Sequence, residues 1–301
     1  MAHELRGVEA APDRFDLAEG PLWDDQAGLV RWVDIREGRV LSARLEGDRL
    51  SDIRDVRLRE TVGAVALASD GGLLVAAARR LATISPNGDV SFGPDLLDGP
   101  GLTRFNDGGV DPQGRFVVGS APLAAGAGQE VLLRVSADGA VETLRTGLQL
   151  SNGIGWSPDG GTIYHIDTFA PSLSSHSYGP GAFDTDEPWI AILTEFPANP
   201  DGLRVDSDGM LWVAMFSGSC VVRYSPDGRE LSRVALDAQQ PTCPGFVGPG
   251  LDRMLITSAI EHLPAEQTLP ADGALFLTDP GVTGVPMNRW AGSTTTPTWA
   301  A

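Results

Sequence analysis

Four oxygen-bearing side chains stand at one phase of a repeat: Glu19 in LAEGPLW, Asn106 in TRFNDGG, Asn152 in LSNGIGW and Asp201 in NPDGLRV. Each is followed by glycine, directly or one residue on, and then by an apolar run ending at a turn glycine. That glycine comes 9 residues after Glu19 and 8 residues after each of the other three. A common phase predicts that the four converge on one axis although they are far apart in the chain. One Glu, one Asn and one Asp make an all-oxygen ligand set. It suits hard cations such as Ca²⁺, Mg²⁺ and Mn²⁺, and Zn²⁺ also accepts carboxylate oxygens. So few protein ligands leave room for water and substrate on the ion, which a Lewis-acid catalyst requires. Taken singly, Asn152 and Asp201 read as turn residues before glycine, and Glu19 as a buried turn acceptor. The shared phase argues against that.

The elements that must position these residues are short strands. Turn glycines recur at Gly28, Gly71, Gly114, Gly160, Gly209 and Gly250, spaced by 43, 43, 46, 49 and 41 residues. Behind them come LVRWVDI, LLVAAA, FVVGSA, TIYHIDT, LWVAMF and MLITSA, each a strand of about six residues. A second set of turns, around Gly88, Gly139, Gly181 and Gly228, falls half a period later. Two turns per period imply four-stranded antiparallel units joined as meanders. Six units of that size predict an all-β, six-bladed β-propeller. A pair of β-sandwiches is the competing architecture, but it needs no such regular period. The propeller is expected over residues 1–287, with its N-terminal strand closing the ring against the last blade. Residues 288–301, NRWAGSTTTPTWAA, fit no blade and read as a C-terminal surface tail.

Composition narrows the function. The chain of 301 residues has a net charge of −18, and all 22 basic residues are arginine. Neither a nucleic-acid partner nor an anionic membrane suits that balance. No window carries the roughly 18 apolar residues of a membrane span, and the N-terminus is charged where a signal peptide would be apolar. A cytoplasmic protein, monomeric or weakly self-associating, is expected. Cys220 and Cys243 read as reduced core residues. His3, His165, His176 and His262 have no metal-binding spacing, and there is no GxSxG or phosphate-loop signature. Asp34 and Asp167, at equivalent strand positions, read as hydrogen-bonding residues within blades. Asp107, beside Asn106, reads equally as an orienting or a turn residue.

The segments AEGPLW, RFNDGGVDPQGRFVVGS, LSNGIGWSPDGGTIYHIDT and PDGLRVDSDGMLWVAMFSG resemble the senescence-marker-protein, or regucalcin and gluconolactonase, family. The resemblance runs in order from about Glu19 to Ala259. It implies a six-bladed propeller with one divalent ion held by Glu19, Asn152 and Asp201. Ca²⁺ is expected first, with Zn²⁺, Mn²⁺, Mg²⁺ and Fe²⁺ as alternatives. It also implies that Arg104 and Asn106 hold the substrate. The sequence departs from the family after Gly119, where GSAPLAAGAGQE lacks an acidic substrate contact. Ala121, Pro122 and Leu123 there imply a less polar entrance.

These readings predict a metal-dependent hydrolase opening a sugar-derived lactone. The ion would polarise the carbonyl, with Asp201 as base or water activated directly by the ion. A broader esterase or phosphotriesterase on the same site is one alternative. A non-catalytic propeller binding calcium or another ligand is the other.

Overall fold

A computed structural model describes residues 3–97, 103–123 and 129–297. Six β-sheets are arranged as a six-bladed propeller, and among the described residues there is no α-helix, hence none long and apolar enough to cross a membrane. Numbered along the chain, the blades begin with the inner strands Ala18–Asp24, Val62–Leu67, Thr103–Val110, Ser151–Trp156, Asn199–Val205 and Pro241–Val247. Each blade then runs outward by antiparallel neighbours. The inner strands are almost wholly buried because both faces pack against other blades.

The N-terminal chain fastens two blades. Val8–Glu9 pairs antiparallel with Phe276–Thr278 and supplies the outermost strand of blade 6, closing the ring. Just before it, His3–Arg6 adds a fifth, parallel strand to blade 5, against Glu230–Ala235. Residue patterning gives no notice of this extra strand, since four residues at an edge carry little periodic signal. Five of the six leading turn glycines have positive φ, from 66° at Gly28 to 84° at Gly71. Blade 6 differs: its turn places Gly248 and Leu251 at positive φ, not Gly250. In blade 4 the stretch around Gly181 is a long irregular connection, not a tight hairpin, between Ser172–Ser177 and Ile190–Leu193.

All six inner strands share a feature that sets up the site. Each loses register with its neighbour near its start: between Glu19 and Leu22, Val62 and Ala64, Phe105 and Gly108, Asn152 and Ile154, Pro200 and Leu203, and Pro241 and Pro244. A β-bulge bends a strand and re-aims the side chains at the bulge. Here the inner strands also approach one another closely. A Cβ on Gly63 would lie 2.4 Å from the Asn106 carbonyl oxygen, and one on Gly153 would lie 2.7 Å from that of Asp201. Only glycine fits there.

Residues 288–297 do not lie loosely on the surface. Trp290 is fully buried in the core between blades 2 and 3, and its backbone bonds to Leu67 and Ser69. Arg289 pairs with Asp24 and Asp25, and Asp70 accepts bonds from Ser293 and Thr294. An aromatic residue in a polar segment was the available signal for this docking.

Candidate functional site

Glu19, Arg104, Asn106, Asn152 and Asp201 all line one cavity of about 860 Å³, open mouth included, at one end of the central channel. Glu19 and Asn152 stand at the register shifts of blades 1 and 4, and Asn106 and Asp201 within those of blades 3 and 5. The bulges therefore deliver side chains from four blades to one floor. The equivalent stretches of blades 2 and 6 hold Gly63, Thr242 and Cys243. These add no charge, because both the Thr242 hydroxyl and the Cys243 thiol are buried and bonded within their own surroundings.

Asn152 and Asp201 touch directly: the Asn152 amide donates to Asp201 Oδ1 and to Thr168 Oγ1. Asn152 Oδ1 is buried and has no hydrogen-bond partner. Among the described residues, Glu19 Oε2 accepts only the neighbouring Gly20 N–H, at 2.9 Å. Asp107 accepts from Gly108 N–H through Oδ1, while its Oδ2 is buried and unpartnered. Unmatched buried oxygens are expensive, and Asn152 Oδ1 and Asp107 Oδ2 are two of them. Burial, then the charge of Asp107, lifts the Glu19 pKa to about 8. Burial followed by the charges of Glu19 and Asp107 lifts Asp201 well above the ordinary carboxylate range, and burial lifts Asp107 too. Arg204, on the inner strand of blade 5, is the foremost opposing charge on Asp107.

A divalent cation fits this donor set. Among the described residues no three His, Cys, Asp or Glu side chains stand close enough to hold a metal, so a site here needs an amide oxygen as well. The orphaned Asn152 Oδ1 is such an oxygen. Turning the amide over would set Oδ1 against the Asp201 carboxylate, an arrangement that an interposed cation satisfies.

Arg104 is half-buried on the cavity wall, and desolvation there lowers its pKa. Its NH1 donates to the Phe105 carbonyl at 2.9 Å and to Asn106 Oδ1 at 2.7 Å. Asn106 in turn donates to the Ser151 carbonyl at 3.0 Å. Asn106 thus holds Arg104 in place, with its own oxygen occupied in doing so. Residues at or just beyond the end of the second strand in five of the blades form the mouth: Ile35, Pro122, Phe169, Phe216, Glu261 and His262. Four of these are apolar. Glu261 and His262 are the polar ones that the sequence reading missed, and their position after a second strand, like that of Thr168, was the signal.

Two other candidates separate from the site. Asp34 and Asp167 accept bonds from Leu17, Arg39, Gln149 and Leu150 and serve the blades, as expected. Ser151 Oγ lies 2.8 Å from His165 Nε2, but both residues are fully buried away from the cavity, and the other ring nitrogen, Nδ1, faces Arg145 at 3.1 Å instead of a carboxylate.

Residues 17–260 match the SMP-30/Gluconolactonase/LRE-like region, a span that takes in all six inner strands. The chain belongs to that family. Among relatives, this member of the SMP-30/gluconolactonase/LRE-like family is 34% identical to pentonolactonase XacC of Haloferax volcanii, over 91% of this chain and 94% of that one. It is likewise 34% identical to the 6-deoxy-6-sulfogluconolactonase of Pseudomonas putida, over 92% and 95%. Among solved structures, the calcium-binding protein regucalcin of Agrobacterium tumefaciens superposes with a TM-score of 0.87 at 26% identity, covering 96% and 99% of the two chains.

Proposed function

We propose that this protein is a divalent-metal-dependent lactonase acting on a sugar-derived lactone. The observation that carries the reading is the meeting of Glu19, Asn152 and Asp201 on the floor of one cavity whose wall is Arg104. Relatives named for pentonolactone and sulfogluconolactone hydrolysis support the substrate class, and the calcium-binding neighbour supports a cation.

Glu19 Oε, Asn152 Oδ1 and Asp201 Oδ would hold the ion. When bound, a divalent cation supplies Lewis acidity, polarising the lactone carbonyl and stabilising the negative charge that develops on its oxygen. Asp201 acts as general base. Its ionised carboxylate takes a proton from water as the oxygen attacks the carbonyl carbon. The ring C–O bond then breaks, and the proton held by Asp201 passes to the departing ring oxygen, giving a hydroxy acid. Arg104, fixed by Asn106, keeps its remaining N–H groups for the substrate's oxygens and orients the ring. The apolar side chains at the mouth exclude water from the bound ring.

Those apolar side chains also favour a second reading, a broader esterase on the same floor. A panel of a pentono-1,4-lactone, an aryl ester and a phosphotriester separates the two. The lactone should be the best substrate, and Asp201→Asn should lower its kcat/KM by about 10²–10⁴-fold with the fold intact. Full lactone turnover by that variant removes Asp201 from the chemistry, and a preference for the aryl ester or phosphotriester favours the second reading.

A further inference from the structure

The mouth of the cavity has two unlike sides. On blade 3, where Arg104 stands, the rim residues Ala121 and Pro122 carry no acidic group. Opposite, the loop after the second strand of blade 6 brings in Glu261, whose side chain is 19% exposed and faces the cavity. Its conformation is held from outside. Arg36 NH1 donates to Glu261 Oε1 at 3.1 Å, while Arg36 Nε lies 3.2 Å from Asp16. The His262 ring stands 3.5 Å from the same Oε1. No described residue donates to Oε2. The backbone at His262 has φ of 61°, a left-handed conformation that non-glycine residues adopt rarely and that recurs at functional sites. It turns the chain just after Glu261. Across the cavity, Glu261 exerts the largest attractive charge on the Arg104 guanidinium.

We propose that Glu261 is a specificity-determining residue whose free Oε2 accepts a hydrogen bond from a substrate hydroxyl remote from the scissile bond. This rests on the lactonase reading and deepens it. A carboxylate can only accept, so the complementary group is a donor. Arg36 already offsets its charge, which favours a neutral hydroxyl over a second cation. With Arg104 and the floor engaging the ester group, Glu261 on the far rim meets what projects from the ring, namely the hydroxylated arm of a sugar lactone. An unsubstituted lactone leaves this carboxylate to water, so it gains nothing there. Blade 6 thereby supplies an acceptor that the blade 3 rim lacks.

The test compares kcat/KM for a pentono-1,4-lactone and for γ-butyrolactone, which share the five-membered ring but not the hydroxyls. Glu261→Met removes the acceptor at similar volume and should lower the ratio of the two values by about tenfold or more, as expected for a hydrogen bond to a charged group. Glu261→Gln keeps a neutral acceptor and should recover part of the ratio. Thermal melts check that both variants fold. An unchanged ratio in the folded Glu261→Met protein overturns this proposal alone. A wild-type protein that opens neither lactone, with divalent cations supplied, overturns the lactonase reading and this one together.

Discussion

Burial governs the acid–base character of the cavity floor. A carboxyl whose folded pKa lies above its unfolded value weakens folding between those two values, because the unfolded chain releases its proton first. For Glu19 that window runs from its ordinary 4.5 to about 8, and Asp201 shifts in the same direction. The metal-free protein should therefore lose stability as pH rises through this range. A cation bound by ionised oxygens would reverse the loss. Added Ca²⁺ should raise the melting temperature more at pH 8 than at pH 5, and an equal shift at both would contradict the assignment. The Glu19, Asn152 and Asp201 positions were legible from sequence because their phase to the turn glycine is nearly the same, 9 residues for Glu19 and 8 for the other two. Asp107 was not, since a second acid beside Asn106 is indistinguishable from a turn residue until its Oδ2 proves buried and unmatched. Nor was the bond that Asn106 Oδ1 accepts from Arg104 legible there.

The element that does the positioning is the bulged inner strand. Its approximate place could be read from the apolar runs, but the two-for-one register could not, because a bulge leaves no period of its own. Its trace in sequence is the glycine after each polar residue: the neighbouring blade requires it at Gly153 and Gly202, and a positive φ of 57° favours it at Gly20. Gly153→Ala should show this: the new Cβ would press on the Asp201 carbonyl and on Leu203 and Ile166. Overpacking of this kind destabilises by about 1–3 kcal/mol, and the shift should fall on Asp201 as well. Differential scanning calorimetry with parallel lactone assays should find a lower melting temperature and reduced activity below it. Normal activity with a normal melt would mean that the blades give way easily. The loops after the second strands were harder to read. Glu261 and Thr168 occupy related places, yet loop lengths differ between blades and the phase rule stops at the strand end.

On the scale of the whole molecule, ring closure by Val8–Glu9 and the docked tail hold the disc at two places. The repeat predicted the first. The second was hidden because residues beyond Met287 have no repeat to follow, and Trp290 alone announced a buried contact. Trp290→Ala should destabilise the protein by about 3–5 kcal/mol in chemical denaturation while leaving kcat/KM unchanged below the transition, since the tail is remote from the cavity. A variant of normal stability would show that the tail merely rests on the disc. The net charge of −18 favours cations near the surface in general, so weak binding of a metal is no proof of a site. The decisive measurement is the rate of acid release from a pentono-1,4-lactone by chelator-stripped protein as Ca²⁺, Mn²⁺ or Zn²⁺ is added back. Activity should be absent at first and saturate at one equivalent per chain, with Asn152→Ala requiring far more metal. Full turnover by the stripped protein would contradict a cation held by Glu19, Asn152 and Asp201 as the centre of the chemistry.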